Sequence, residues 1–268
     1  MKETILVTGG TGFIGSHTTV ELQQAGYDVV IVDNLSNSRE DVLDGIEKIT
    51  GIRPAFEKVD LRDFDATESV FKKYPKISGI IHFAASKAVG ESVQKPLLYY
   101  HNNIVSLINL LQLMPKYDVK GIIFSSSCTV YGQPDVLPAT EETPIKKAES
   151  PYGNTKQINE EIIADTIKSG SPIKAILLRY FNPIGAHPTA FIGEMPNATF
   201  RYLPTQMRGT SDKIELLGEG KAKMCNAMVT TCREGEEAWW IKASDIDYDE
   251  LDGSAVGKNA RLYVGGIP

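Results

Sequence analysis

A tyrosine and a lysine with helical spacing form the pair in this sequence that is best suited to acid–base chemistry. Tyr152 and Lys156 are four residues apart in the segment SPYGNTK, and this spacing places both side chains on one face of a helix. An ammonium group beside a phenol favours the phenolate, so Lys156 is expected to lower the pKa of Tyr152 from about 10. A tyrosine activated in this way can take a proton from a hydroxyl group and later return it.

A run of serines earlier in the chain supplies a candidate third member. Ser127 is the last of three consecutive serines in the segment FSSSCTVYG and precedes Tyr152 by 25 residues. A hydroxyl group at that place can bridge a substrate oxygen and the tyrosine. Serines at strand ends also serve as turn residues, and Tyr–Lys pairs are common on helices, so these residues alone leave a purely structural role open.

The glycine-rich segment TGGTGFIGSH, residues 8–17, is typical of a phosphate-binding turn. It follows a predicted strand and opens a predicted helix, which is the context that such a turn requires. Gly9 permits a tight turn, Gly12 lets the backbone approach a pyrophosphate, and Gly15 lets the helix pack close to the sheet. Because a helix N-terminus attracts anions, the segment predicts a dinucleotide cofactor.

Two aspartates at the ends of predicted strands indicate which dinucleotide is bound. Asp33 follows Gly15 by 18 residues and is placed to accept hydrogen bonds from both ribose hydroxyls of adenosine. Its negative charge would repel a 2′-phosphate, so the sequence favours NAD over NADP. Asp60 is placed to meet the adenine amino group. Capping of a turn is the alternative role for either aspartate.

Alternating strands and helices over the first 180 residues predict the α/β class. The strands are apolar throughout, which is typical of strands buried on both faces of a parallel sheet. We expect a Rossmann-like, doubly wound parallel sheet with helices on both sides. The predicted strands are Thr4–Thr8, Val29–Asp33, Phe56–Asp60, Gly79–Phe83, Gly121–Ser127 and Ala175–Tyr180, and the clearest helices are Phe13–Ala25, Phe64–Tyr74, Pro96–Lys116 and Tyr152–Ser169.

The rest of the chain has a different pattern. We expect an NAD-binding domain at residues 1–180 and a smaller, truncated or rearranged substrate-binding region at residues 181–268. The strong periodicity is lost in this second part, where only Lys213–Leu217 favours a strand and Met224–Thr231 gives no assignment. Residues 233–252 hold eight acidic and two basic side chains, which indicates a solvated acidic surface.

Composition and charge argue against several classes of protein. The 268 residues carry a formal net charge of −6, which disfavours binding to nucleic acid or to an anionic membrane. No apolar run is long enough to span a membrane, and the first residues enter the fold directly, so no secretory signal is expected. Three cysteines are too few for a disulfide framework, and the four histidines lack ligand spacing. A cytoplasmic protein without a bound metal is expected.

Taken together, the motifs resemble the extended short-chain dehydrogenase/reductase superfamily over residues 1–193. The glycine turn and the Tyr-x-x-x-Lys pair identify only this superfamily. The segments AVGESVQKP and RYFNPIGAHP are similar to those of the UDP-glucose 4-epimerases, and VDNLSNS, YYHNN and FSSSCTVYG also match that family. The resemblance implies interconversion of UDP-galactose and UDP-glucose through a 4-keto sugar, with tightly bound NAD as the hydride carrier, by a homodimer.

The same resemblance implies roles for individual residues. Tyr152 would move the proton of the sugar 4-hydroxyl, with Ser127 in the hydrogen-bond path and Lys156 on the nicotinamide ribose. The residues implied to contact the substrate are Lys87, Ser127, Tyr152, Asn182 and Arg233. Those implied to hold NAD are Gly9, Gly12, Phe13, Ile14, Gly15, Asp33, Asn34, Asn37, Ser38, Asp60, Leu61, Phe83, Ala84, Ala85, Lys87, Asn102, Tyr152, Lys156 and Phe181.

Two alternatives stay open because the family pattern weakens beyond residue 193 and because family members are longer. One is an NAD-dependent enzyme that acts on another nucleotide sugar. The other is an NAD-binding protein that is inactive through loss of part of the substrate domain. A related 4,6-dehydratase is disfavoured, since Cys128 and Thr129 occupy the positions of its acidic pair.

Overall fold

The structure, a computed structural model, describes residues 2–202, 207–218, 220–232 and 238–264. Contacts between Cα atoms divide the chain into two compact units. The first combines residues 1–40 with residues 52–183, and the second combines residues 41–51 with residues 184–268. Among the described residues, no helix combines the length and the apolar character needed to cross a membrane.

The first unit is built on one sheet, whose strands are β1 (Thr4–Thr8), β2 (Asp28–Asp33), β3 (Ala55–Lys58), β4 (Ile77–His82), β5 (Gly121–Ser127) and β6 (Lys174–Tyr180). They lie in the order β3-β2-β1-β4-β5-β6, and all neighbours are parallel. This is the order of a doubly wound sheet, in which the winding reverses beside β1. The α/β, Rossmann-like fold class predicted from the sequence is confirmed.

The helices are α1 (Phe13–Gln24), α2 (Val42–Thr50), α3 (Phe64–Lys73), α4 (Val89–Gln94), α5 (Pro96–Lys116) and α6 (Pro151–Lys168), with a 3₁₀ turn at Cys128–Tyr131. The four predicted helices agree with α1, α3, α5 and α6 to within one residue at each end. The sequence analysis did not assign the short helices α2 and α4. The start of α6 shows why its boundary was readable: Ser150 accepts a hydrogen bond from the Gly153 amide (3.1 Å) and Pro151 occupies the first helical position.

The apolar core of the first unit involves the sheet and helices α3, α5 and α6. Leu6 of β1 and Phe124 of β5 belong to one buried cluster with Leu110 of α5. Val7 and Ile31 point to the opposite face of the sheet, because side chains alternate along a strand, and they are also fully buried. Burial on both faces explains why these strands lack the polar alternation of a one-sided sheet.

The second unit contains an antiparallel sheet with the strands β7 (Gly185–Ala186), β8 (Gly193–Tyr202), β9 (Met207–Gly218), β10 (Lys221–Thr230), β11 (Trp239–Asp249), β12 (Ser254–Lys258) and β13 (Arg261–Val264). The order is β12-β11-β10-β9-β8-β7, and β13 pairs with β11. A separate buried cluster includes Ile214, Met224, Ala227 and Ile246. Helix α2 belongs to this unit by its contacts.

This sheet is more extensive than the sequence analysis predicted. Lys213–Leu217 lies inside β9, and most of the unassigned segment Met224–Thr231 lies in β10. Asn226 has a positive φ of 47°, and the pairing of β10 with β11 skips this residue. The irregularity changes the spacing of the buried residues, which step from Met224 to Ala227, so the period-two signal of a strand is broken.

Candidate active site

The turn between β1 and α1 has the backbone geometry of a phosphate-binding turn. Gly9 has a positive φ of 70°, and a Cβ atom there would lie 2.7 Å from the amide nitrogen of Ala84. A Cβ atom on Gly15 would lie 2.2 Å from the carbonyl oxygen of Gly9. A side chain at either position would collide with backbone atoms, so both positions require glycine.

The N-terminus of α1 is suited to an anion. The N-cap residue is Gly12, which has no side chain that could cap the helix. The first turn of α1 contains no acidic residue that would repel an anion. Phe13 and Ile14 follow at the start of the helix, where amide groups point out of the N-terminus. Amides, helix dipole and glycine cradle together fit the pyrophosphate of a dinucleotide.

Asp33 connects the end of β2 to this turn. Its side chain is buried, and Oδ1 accepts hydrogen bonds from the Leu35 amide (2.9 Å) and from the Ser38 hydroxyl (2.9 Å). Ser38 in turn is hydrogen-bonded to Thr11 of the glycine turn (2.8 Å). These bonds fix the carboxylate beside the turn, where a ribose would lie. Asn37, also predicted to contact the cofactor, is exposed.

Asp60 already has a partner that the sequence analysis missed. The Arg62 guanidinium donates to both carboxylate oxygens (2.9 Å from Nε to Oδ1 and 2.5 Å from Nη2 to Oδ2), and Asn34 donates to Oδ2 at 3.4 Å. Chiefly the hydrogen bonds from Arg62 lower the pKa of Asp60 to about 2. Asp60 therefore stays ionised and oriented at neutral pH, while Leu61 is buried in the core.

The loop after β4 is held against β1 and α5. The amide of Phe83 donates to the Thr8 carbonyl oxygen (3.0 Å), which brings Ala84 and Ala85 next to the glycine turn. The Asn102 side chain donates to the Ser86 hydroxyl (3.1 Å). The buried neighbour Asn103, which the sequence analysis missed, makes two hydrogen bonds with the backbone of Ser86 and donates to Thr155 of α6. Lys87 is exposed.

Ser127 and Tyr152 meet at the carboxyl end of β5. Ser127 is buried, and its hydroxyl accepts a hydrogen bond from the Thr129 amide (3.2 Å). The Ser127 side chain lies close to the Tyr152 hydroxyl and acts to lower the Tyr152 pKa. The side chains of Ser127 and Tyr152 are therefore neighbours at this end of the sheet.

The protonation equilibrium of Tyr152 differs from the expectation. Burial raises its pKa, and the hydrogen bond with Ser127 opposes this only in part. Lys156, which was expected to lower the pKa, donates instead to the Ser125 carbonyl oxygen (2.8 Å), and its Nζ lies 5.8 Å from the centre of the tyrosine ring. The predicted depression of the Tyr152 pKa is therefore wrong for this structure, because desolvation of the phenolate dominates.

Lys156 itself is buried. Burial lowers its pKa to about 8, and the nearby carboxylate of Glu160 acts in the opposite direction. The buried His82 of β4 also responds to this site, since burial first and the Lys156 charge second lower the His82 pKa to about 3. Near neutral pH the site holds a charged lysine and a neutral histidine.

The predicted substrate residues are only partly placed together. Asn182, predicted to contact the substrate, and Phe181, predicted to contact NAD, follow Tyr180, which pairs with Ser127 across β5 and β6. Both are exposed. They therefore leave the sheet beside the end of β5. Arg233 lies outside the described residues.

Comparison with known proteins gives this site a family context. Residues 5–225 match the model of the NAD dependent epimerase/dehydratase family. The chain is 53% identical over 199 residues to UDP-glucose 4-epimerase 2 of Arabidopsis thaliana, covering 73% of this chain and 56% of that protein. It is 52% identical over 193 residues to the UDP-glucose 4-epimerase of Bacillus subtilis, covering 72% and 56%.

Solved structures give the same result. The chain is similar to the crystal structure of UDP-glucose 4-epimerase from Bifidobacterium longum in complex with NAD⁺ and UDP, with a TM-score of 0.69 and 49% identity. That match covers 71% of this chain and 56% of that one. The chain thus spans about half the length of the relatives that it matches.

Proposed function

The chain belongs to the NAD dependent epimerase/dehydratase family, and from this premise we propose that it is a UDP-glucose 4-epimerase. It would interconvert UDP-galactose and UDP-glucose through a 4-keto sugar with tightly bound NAD. The observation that carries the proposal is the meeting of Ser127, Tyr152 and Lys156 at the carboxyl end of β5. Identity of about half to curated UDP-glucose 4-epimerases supports it.

NAD would occupy the cradle around the glycine turn. Its pyrophosphate would lie on Gly12, Phe13 and Ile14, its adenosine ribose on Asp33, and its adenine beside Asp60. When bound, NAD supplies a group that accepts a hydride from the sugar and later returns it. The other proposed cofactor contacts are Gly9, Gly15, Asn34, Asn37, Ser38, Leu61, Phe83, Ala84, Ala85, Lys87, Asn102, Tyr152, Lys156 and Phe181.

The chain's own residues would handle the proton. Tyr152 takes the proton of the sugar 4-hydroxyl and gives it back on the return step, while the Ser127 hydroxyl bridges the sugar oxygen and the phenol. Lys156 keeps a positive charge near the phenol below pH 8, which favours the phenolate when the proton leaves. Positioning of the sugar against the cofactor supplies much of the remaining rate.

We also propose that residues 1–180 serve as the NAD-binding domain and residues 181–268 as a substrate region. Lys87, Asn182 and Arg233 are the residues proposed to contact the sugar nucleotide besides Ser127 and Tyr152. A cytoplasmic location is proposed because the three cysteines are free, as in a reducing compartment.

A homodimer is the assembly proposed from the family resemblance. Leu97 and Leu98, near the start of α5, are exposed apolar residues and are suited to an interface between copies. Light scattering of the purified chain is expected to give twice the mass of one chain, and Leu97→Asp is expected to reduce it. A monomeric wild-type protein would contradict this assembly.

The first half of the reaction tests the function directly. We expect UDP-galactose added to the NAD-loaded protein to produce a small, reversible absorbance at 340 nm from reduced cofactor, and Tyr152→Phe to abolish it. Tyr180→Phe is the matched control, because Tyr180 is given no proton-transfer role. No reduction with any UDP-hexose would instead support an inactive NAD-binding protein, and reduction by a different nucleotide sugar alone would support an altered substrate.

A further inference from the structure

A buried glutamate extends the catalytic face of α6 by one more turn. Tyr152, Lys156 and Glu160 are spaced four residues apart, so their side chains follow one another along one helix face. Only 8% of the Glu160 side chain is exposed. A buried carboxylate is costly unless it is paired and hydrogen-bonded, so its partners indicate what it does.

Glu160 has two such partners, on two neighbouring strands. Arg179 of β6 donates two hydrogen bonds to it, from Nε to Oε1 (3.0 Å) and from Nη2 to Oε2 (2.7 Å). The Ser126 hydroxyl of β5 donates to Oε1. Ser126 and Arg179 are themselves register partners in the sheet. The Arg179 guanidinium also lies 4.9 Å from the centre of the Tyr131 ring, in the turn after β5.

These contacts complete a series that joins the end of β5 to α6. Three consecutive strand residues contact three successive turns of the helix: Ser125 accepts from Lys156 through its carbonyl oxygen, Ser126 donates to Glu160, and the Ser127 side chain lies beside Tyr152. A shift of the helix along the strand would break all three contacts together. Of the three helix residues, Glu160 makes the most of these hydrogen bonds, because its carboxylate accepts from Arg179 on the next strand as well as from Ser126.

We propose that Glu160, fixed by Arg179 and Ser126, is a positioning residue that holds the charged Lys156 side chain and the end of β5 in place beneath Tyr152. The inference rests on the proposed function for its catalytic meaning, but the contacts themselves are independent of any substrate. Its physical consequence is local: the Glu160 carboxylate keeps the buried ammonium of Lys156 protonated to a higher pH than burial alone would allow.

Few of the groups that surround Lys156 can change its pKa. Tyr152 and Glu160 lie on α6, Phe124 and Ser125 on β5, and His82 on β4. Burial keeps His82 neutral above about pH 3. Glu160 is therefore the group whose negative charge bears on Lys156 near neutral pH in the described surroundings.

The test is the titration of Lys156 itself, followed by NMR on protein labelled with ¹³C-lysine, with the signal assigned by its loss in Lys156→Met. We expect Glu160→Gln to lower the Lys156 titration midpoint by about one pH unit. Glu161→Gln is the matched control, because Glu161 is the next residue of α6 and is exposed. It is expected to leave the midpoint unchanged. An unchanged midpoint in folded Glu160→Gln would overturn the proposal.

A second variant covers the case in which Glu160→Gln does not fold because Arg179 is left unpaired. Glu160→Gln/Arg179→Gln removes both charges and keeps amide groups that can hydrogen-bond to each other and to Ser126. A downward shift of the Lys156 midpoint is again expected, smaller than in Glu160→Gln because the positive charge of Arg179 is removed as well, and a midpoint that does not fall would equally overturn the proposal.

Turnover separates this inference from the proposed function. If the wild-type chain turns over UDP-galactose, Glu160→Gln is expected to lower kcat by about tenfold with little change in KM, and to move the alkaline limb of the rate profile to lower pH. An equal loss through KM alone would count against a positioning role. If the wild-type chain shows no turnover, the proposed function fails while the Lys156 titration still decides the role of Glu160.

Discussion

The two units of this chain use their residues in opposite ways. In the first unit the strands are apolar, and polar side chains gather at the carboxyl ends of β1, β2, β4 and β5, where they form the described site. In the second unit the strands themselves carry the charges: Lys213 of β9 pairs with Glu194 of β8, and Lys221 of β10 pairs with Asp249 of β11. The difference shows that a parallel sheet concentrates chemistry at one edge, whereas this antiparallel sheet uses polar side chains for cross-strand pairing.

The largest expected effect lies at the concentrated edge of the first unit. Tyr152→Phe removes the hydroxyl that is proposed to move the proton, so turnover of UDP-galactose is expected to fall by about 10²–10⁴-fold while thermal stability stays near wild type. Steady-state rates and calorimetry on the same samples measure both. Retention of full turnover would remove the tyrosine from the mechanism and weaken the contrast between the units.

The sequence could predict this edge because each of its motifs is local. Tyr152 and Lys156 lie within five residues, and the glycine turn lies within ten, so spacing alone places them on a helix face or a turn. The contacts between distant segments could not be predicted in this way: Arg179 with Glu160, Asn103 with Ser86 and Thr155, and Asn34 with Asp60. The rise of the Tyr152 pKa was missed for the same reason, because burial depends on the packing of the whole unit.

The sequence predicts the strands of the second unit poorly for a related reason. Its strands depend on pairing across the sheet, and the irregularity at Asn226 hides the alternation in β10. The acidic segment at residues 233–252, which the sequence analysis interprets as a solvated surface, includes the whole of β11, in which Asp245 lies near Lys223 and Ile246 is buried. Charge alone could not show that this segment is a strand with one apolar face.

The next largest effect is expected from a shortened side chain in the buried cluster of the second unit. Ile246→Ala in β11 removes a side chain that is 4% exposed, so a loss of about 2–5 kcal/mol in the stability of this sheet is expected. Hydrogen exchange of β10 and β11 would report the loss, while NAD affinity is expected to be unchanged. Val256→Ala, on exposed β12, is the control with an expected change within about 0.5 kcal/mol. A parallel loss of NAD affinity would break the separation of roles.

A smaller effect is expected from crowding the glycine turn. Gly15→Ala places a Cβ atom 2.2 Å from the Gly9 carbonyl oxygen, and the shift needed to relieve it is expected to cost about 1–3 kcal/mol of stability. NAD affinity, measured by calorimetric titration, is expected to weaken by at least about tenfold. Gly90→Ala is the matched control, since a Cβ atom there meets no atom within 4 Å. Equal stability and equal NAD affinity of the two variants would show that the glycine turn has room for a Cβ atom at Gly15.

The smallest effect depends on pH and comes from His82. The folded-state pKa of His82, about 3, lies below the ordinary value of 6.5. Between these two pH values the unfolded chain therefore binds a proton at His82, whereas the folded chain does not. Stability is therefore full above about pH 6.5 and falls as the pH decreases toward 3, by about 2 kcal/mol at pH 5. His82→Gln is expected to flatten this part of the stability profile in urea unfolding, whereas His101→Gln, at an exposed position, is expected to leave it intact. An unchanged slope in His82→Gln would contradict the burial argument.

The central claim is that the chemistry gathered at the edge of the parallel sheet is that of a UDP-hexose 4-epimerase. Conversion of UDP-galactose to UDP-glucose by the purified chain, with NAD supplied, tests it most directly, and proton NMR distinguishes the two sugars. We predict that the same equilibrium mixture is reached from either sugar, without net production of NADH. A folded, NAD-loaded chain that converts neither sugar would contradict the claim.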